Sequence, residues 1–135
     1  MLIVEDEPEA LAALARFLSH RGFAVTPASN GGDAVRLCRE RGFDVVLTDL
    51  RMPGTDGHGL IEQLKEHNPA MPIVVMTGQA GFDRARAPDD GAVAATLHKP
   101  LDLRELDALM LRLTKGLERD SRRRNHFGVS ARARF

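Results

Sequence analysis

Three carboxylates, a hydroxyl and an amine stand out in this 135-residue chain because each closes a short apolar run. Glu5 and Asp6 follow Leu2-Ile3-Val4. Asp49 follows Val45-Val46-Leu47-Thr48, and Thr77 follows Ile73-Val74-Val75-Met76. Lys99 follows Leu97-His98 and precedes Pro100. Carboxylates brought close repel unless a cation lies among them or one keeps a proton. Hard oxygen ligands suit Mg²⁺, with Mn²⁺ as the second choice. A cation there would steady charge on a transferring phosphoryl group. The charges balance for that chemistry. Ionised Glu5, Asp6 and Asp49 carry −3, and Lys99 with one divalent ion supplies about +3. An acyl phosphate of about −2 in place of the Asp49 carboxylate leaves roughly −1. The Thr77 hydroxyl can donate to one phosphoryl oxygen, and Lys99 can pair with another as a mobile point charge.

The elements that must bring these residues together alternate in type. Strand signals fall at 2–4, 23–26, 44–48, 72–76 and 92–97. Helix signals run from Pro8 to about His20, where Gly22 follows, and from an Asn30 cap to a stop at Gly42. Asp49 to Gly57 reads as a loop leading to a helix through Leu60, Ile61 and Leu64. Residues 82–91 make a poor helix, interrupted by Pro88 and Gly91. The last helix starts near Leu101 or Asp102. Five strands alternating with five helical segments predict an α/β fold, a doubly wound parallel sheet with helices on both faces. Right-handed crossovers put helices on each side, and ligands bind beyond the carboxyl ends of the strands. The five singled-out residues stand at those ends.

Taken in order, Val4-Glu5-Asp6-Glu7-Pro8, Leu47 to Gly57 (LTDLRMPGTDG), Met76-Thr77-Gly78 and His98-Lys99-Pro100 resemble the receiver domain of bacterial two-component response regulators. The likeness covers roughly residues 1–115, leaving 116–135 as a basic C-terminal extension or linker. It implies a flavodoxin-like five-stranded sheet in the order 2-1-3-4-5. It also implies a phosphorelay switch. Asp49 would accept the phosphoryl group from a sensor histidine kinase or phosphotransfer protein. Glu5, Asp6, Asp49 and the Arg51 backbone carbonyl would bind Mg²⁺. Thr77 and Lys99 would be the switch hydroxyl and the phosphate-pairing amine, and the bond before Pro100 is a cis candidate. The implied domain is a phosphoacceptor with self-catalysed phosphorylation and dephosphorylation, not a turnover enzyme. Two features depart from the family. Thr96 stands where an aromatic switch residue is usual, and Pro88 lies inside the fourth helix. These keep a phosphorylation-independent pseudo-receiver as the alternative reading, and they mark Gly78–Gly91 as the expected mobile segment. A phosphohydrolase ranks lower, because Arg51 occupies the place where such enzymes usually have a second Asp.

The bland readings cover the remaining residues. Asp56 is expected to cap the third helix, and Gly54 and Gly57 to serve backbone geometry. Cys38 has no Cys or His at ligand spacing and is expected to pack. None of the five histidines is assigned to metal. Leu103, Leu106, Met110, Leu113 and Leu117 follow a helical spacing that fits the core, with a homodimer contact through the last helix as the lesser reading. A single Cys excludes an internal disulfide framework, the apolar runs are too short to span a membrane, and no leader pattern opens the chain. The expected location is therefore cytoplasmic. Zero net charge hides an asymmetry. Residues 1–114 hold 12 basic and 17 acidic side chains, whereas 115–135 hold seven basic and two acidic ones. In sequence the basic stretch reads as a solvated helix end or linker without a nucleic-acid recognition motif, so direct nucleic-acid binding within this chain is not expected.

Overall fold

The computed structural model describes residues 1–78 and 93–126, and their side chains apart from Thr55 and 115–126. The expectations placed on 79–92, including the helix around Pro88 and nearly all of the segment expected to be mobile, lie outside the described residues, as does the tail beyond His126.

The elements are β1 (Leu2–Val4), α1 (Pro8–His20), β2 (Thr26–Ala28), α2 (Gly31–Glu40), β3 (Val46–Asp49), β4 (Arg51–Met52), β5 (Thr55–Asp56), α3 (Gly57–His67), β6 (Ile73–Thr77), β7 (Val93–His98) and α4 (Leu103–His126). The main sheet has five strands in the order β2-β1-β3-β6-β7. All of its neighbours pair in parallel. With the small hairpin β4–β5 set aside, this is the 2-1-3-4-5 order of a doubly wound fold.

Alternation along the central strands builds two cores. Leu2, Val4, Val46, Ile73 and Val75 pack on one face with α2 and α3 residues such as Ala34, Ile61 and Leu64. Ile3, Val45, Leu47, Val74 and Met76 pack on the other with Leu14 and Leu18 of α1 and Leu106 and Met110 of α4. Both faces are covered, which is why these strands are continuously apolar rather than alternating. Among the described residues, no helix is long and apolar enough to cross a membrane.

Two boundaries differ from the sequence expectation. Strand β2 begins at Thr26 rather than Phe23. Gly22 has φ 96°, its N–H donates to Ser19 O, and Phe23 N–H donates to Leu18 O. This is a Schellman closure, so Phe23 belongs to the end of α1 and tucks its ring into the core. The expected loop from Asp49 to Gly57 contains a tight antiparallel hairpin, with Arg51 opposite Asp56 and Met52 opposite Thr55. Gly54, at φ 73°, supplies the left-handed residue that follows Pro53 in this turn. The helix caps are as read. Asn30 Oδ1 accepts from Asp33 N–H, and Asp56 Oδ1 accepts from His58 N–H. Cys38 packs against the first core, and burial raises its thiol pKa.

Candidate functional site

Glu5 and Asp6 follow directly on β1, Asp49 ends β3, Thr77 ends β6, and Lys99 follows directly on β7. In a parallel sheet these carboxyl ends share one edge. The register sets the strands side by side: Val4 pairs with Thr48, Asp49 with Met76, and Thr77 with His98.

The side chains converge. Lys99 Nζ donates to Asp49 Oδ2 at 2.8 Å and to Glu5 Oε2 at 3.2 Å. Arg51 N–H donates to Asp49 Oδ1 at 2.9 Å. Each oxygen of Asp49 thus has a donor, one fixed in the backbone and one on a flexible stem. Lys99 is itself held at its backbone, where its N–H donates to Thr77 O at 2.8 Å. Glu5 is 1% exposed and Asp49 6%, while the Lys99 side chain keeps about a third of its surface in solvent.

Burial raises the Glu5 pKa to about 7, with the neighbouring Asp49 carboxylate adding to the effect and Lys99 opposing it. For Asp49 burial pushes the same way, but the Lys99 ammonium and the Arg51 N–H outweigh it and hold the group below the ordinary carboxylate range. Burial works against the Lys99 charge, yet Asp49 and Glu5 win and raise its pKa. Two carboxyls with pKa values driven apart beside one amine have distinct roles: one stays ionised, and the other readily takes up or gives up a proton near neutrality.

The donor set fits a hard divalent cation. One oxygen each from Glu5, Asp6 and Asp49 lies within 4.8 Å of the others. Among the described residues, Glu5 Oε1 is buried without a hydrogen-bond partner. A fully desolvated acceptor is costly to leave unpaired, and an oxygen-seeking cation among three carboxylates would satisfy it.

Not every singled-out residue joins this cluster. Glu5, Asp6, Asp49 and Lys99 meet, and Thr77 is buried and tied to Lys99 through the backbone. Thr96 lies half-buried within β7 opposite Val75. The Lys99–Pro100 peptide is cis. Two contributors escaped the sequence reading. The Arg51 N–H was one, because any residue type there offers an amide. The other is Leu50 as the group that Gly57, expected to serve backbone geometry, lets approach so closely. A Cβ at Gly57 would stand 2.7 Å from Leu50 O and 2.8 Å from Leu50 Cδ2. The Pro53-Gly54 pair was the available signal that the loop folds back this tightly.

Comparison with known proteins gives a consistent result. A family model described as the response regulator receiver domain matches residues 1–111. The chain is 31% identical over 123 residues to the DNA-binding transcriptional regulator NtrC of Escherichia coli K12, covering 91% of this chain and 26% of that protein. It is 34% identical over 117 residues to the transcriptional regulatory protein ZraR of Klebsiella oxytoca, covering 87% and 26%. It therefore spans about a quarter of the length of these curated relatives. Among solved structures, the receiver domain of nitrogen regulatory protein C superposes with a TM-score of 0.76 at 31% identity, covering 87% of this chain and 94% of that one. A response regulator receiver domain protein from Clostridium thermocellum superposes with a TM-score of 0.79 at 25% identity, over 87% and 94%.

Proposed function

The chain belongs to the response regulator receiver domain family, and we propose that its Asp49 accepts a phosphoryl group from a sensor histidine kinase or phosphotransfer protein. The observation that carries this reading is the paired restraint on the Asp49 carboxylate, 2.9 Å from the Arg51 N–H and 2.8 Å from Lys99 Nζ. A carboxylate kept ionised in a buried pocket is a usable nucleophile. Its oxygen forms the new P–O bond while the P–N bond to the donor imidazole breaks, and the imidazole leaves as the proton-carrying base. Lys99 is already within reach of an Asp49 oxygen and can follow the added negative charge. Glu5 and Asp6, with Asp49 and the Arg51 carbonyl, would hold Mg²⁺ or Mn²⁺. Bound there, the cation would neutralise charge on the phosphoryl oxygens.

The same residues serve removal of the group when water attacks the phosphorus of the acyl phosphate, the Asp49 O–P bond breaking to release inorganic phosphate and restore the carboxylate, so the modification has a finite lifetime. The chain acts as a switch whose surface contacts change with phosphorylation, with Thr77 as the hydroxyl that meets the phosphoryl group. A phosphorelay of this kind suits a cytoplasmic protein. The test is labelling by a small phosphodonor such as acetyl phosphate. One Mg²⁺-dependent phosphoryl group per chain, absent from Asp49→Ala, is the expected result. No labelling would favour the pseudo-receiver reading, and continuous release of phosphate from many esters would favour a phosphohydrolase.

A further inference from the structure

We propose that the outer side of α4 is a nucleic-acid-binding surface that grips the phosphate backbone without reading sequence. The helix runs unbroken over 24 residues from Leu103 to His126, a length of about 36 Å. Its first half is anchored. Leu106, Leu109 and Met110 are buried, and the Thr114 hydroxyl donates back to Met110 O. Arg104 and Arg112 are exposed on this half. At 3.6 residues per turn, positions 104, 112, 115, 119, 122 and 123 fall within one arc about 100° wide, away from positions 106, 109 and 110. The residues at those positions are Arg104, Arg112, Lys115, Arg119, Arg122 and Arg123. Glu105 shares the edge of the arc, while Asp107, Glu118 and Asp120 fall outside it. In sequence this stretch reads as a linker; the continuous helix is what collects its charges on one side.

The composition of the helix selects among occupants. A coiled coil would continue the apolar seam beyond Leu117, but the next positions on that seam carry Asp120 or Ser121 and then Arg124. A helix lying on a membrane needs bulky apolar residues opposite its charges, and 115–126 offers only Leu117. Charges repeated along a rod suit a phosphate backbone, and arginine matches phosphate geometry better than lysine. The chain before α4 is acidic, with 15 acidic against 10 basic side chains in residues 1–102; it repels the same polyanion and leaves the outer side of α4 as its approach.

The test is fluorescence anisotropy of the full chain with a labelled random-sequence DNA duplex of about 20 base pairs across a salt series. Micromolar binding is expected, with log K falling against log salt at a slope of about −4 to −5. The triple variant Arg119→Ala, Arg122→Ala, Arg123→Ala should bind roughly tenfold or more weakly and lose about 3 from that slope. Arg124→Ala, off the arc, should change Kd less than about twofold. Three results overturn the proposal: no binding at low salt, a loss from Arg124→Ala as large as that from Arg122→Ala, or tighter binding to phosphatidylglycerol vesicles than to the duplex.

Discussion

Lys99 Nζ lies 2.8 Å from Asp49 Oδ2, although 50 residues separate the two in the chain. The pair is made by topology alone, since β3 and β7 both pair with β6 and end at one edge. Lys99 also neutralises Glu5, so one amine balances two buried carboxyls, and removing it exposes the imbalance.

Lys99→Ala is therefore expected to stay folded, with its two cores intact, but to lose about 1–3 kcal/mol at pH 8, discounted for the partial exposure of the amine. The loss should shrink at pH 5, where Glu5 is protonated. Phosphodonor labelling should persist, while the conformational response to it weakens. Urea unfolding at the two pH values, with amide chemical shifts before and after labelling, checks both parts.

Asp49→Asn removes the proposed phosphoacceptor and should cut labelling to below about 1% of wild type. It also removes a carboxylate that raises the Glu5 pKa. The Glu5 titration should move down from about 7, as read by carbon-13 NMR of its carboxyl. An unchanged Glu5 titration contradicts the repulsion between the two groups.

The pH dependence of the metal-free protein has a definite sign. Glu5 holds its proton more tightly when folded, with a pKa of about 7 against an ordinary 4.5. Its contribution to stability is complete below the lower value and is lost as pH rises through the higher one, by at most about 3 kcal/mol. Asp49 runs the other way, since its pKa lies below the ordinary 3.8. Its contribution is present above that value and is lost as pH falls through the lower folded one. Between pH 5 and 8 Glu5 dominates, so Tm should fall with rising pH and flatten in Glu5→Gln. Added Mg²⁺ should reverse the slope, because the cation takes the place of the proton. Thermal scans with and without Mg²⁺ measure all of this.

Gly57→Ala should destabilise by about 1–3 kcal/mol, because the new methyl must displace the Leu50 carbonyl or side chain. Leu50 adjoins Asp49, so labelling should slow as well. Gly42→Ala, whose Cβ meets nothing within 4 Å among the described residues, is the control and should leave the labelling rate unchanged. Denaturant unfolding and single-exponential labelling rates distinguish the two variants.

The sequence carried the sheet and the charged edge where Glu5, Asp6, Asp49 and Lys99 meet, because both depend on side-chain type. Continuous apolar runs such as Ile73 to Met76 read as doubly covered strands, and the charges that close them read as a site. Backbone contributions were harder to see. The closure that draws Phe23 into the end of α1 uses N–H groups that every residue but proline possesses. The Arg51 amide on Asp49 is hidden for the same reason. The gathering of basic positions along α4 needed the helix to be continuous to His126, and the charge run alone could not specify that.

The hydrogen bond from Lys99 N–H to Thr77 O has a mechanical consequence. It stitches the chain leaving the last strand, β7, to Thr77 at the tip of β6, so a tug on either is felt by both. A shift of the Thr77 main chain can thus pass sideways into the sheet's outermost strand through main chain alone, a route that does not need a bulky ring at position 96 to relay it.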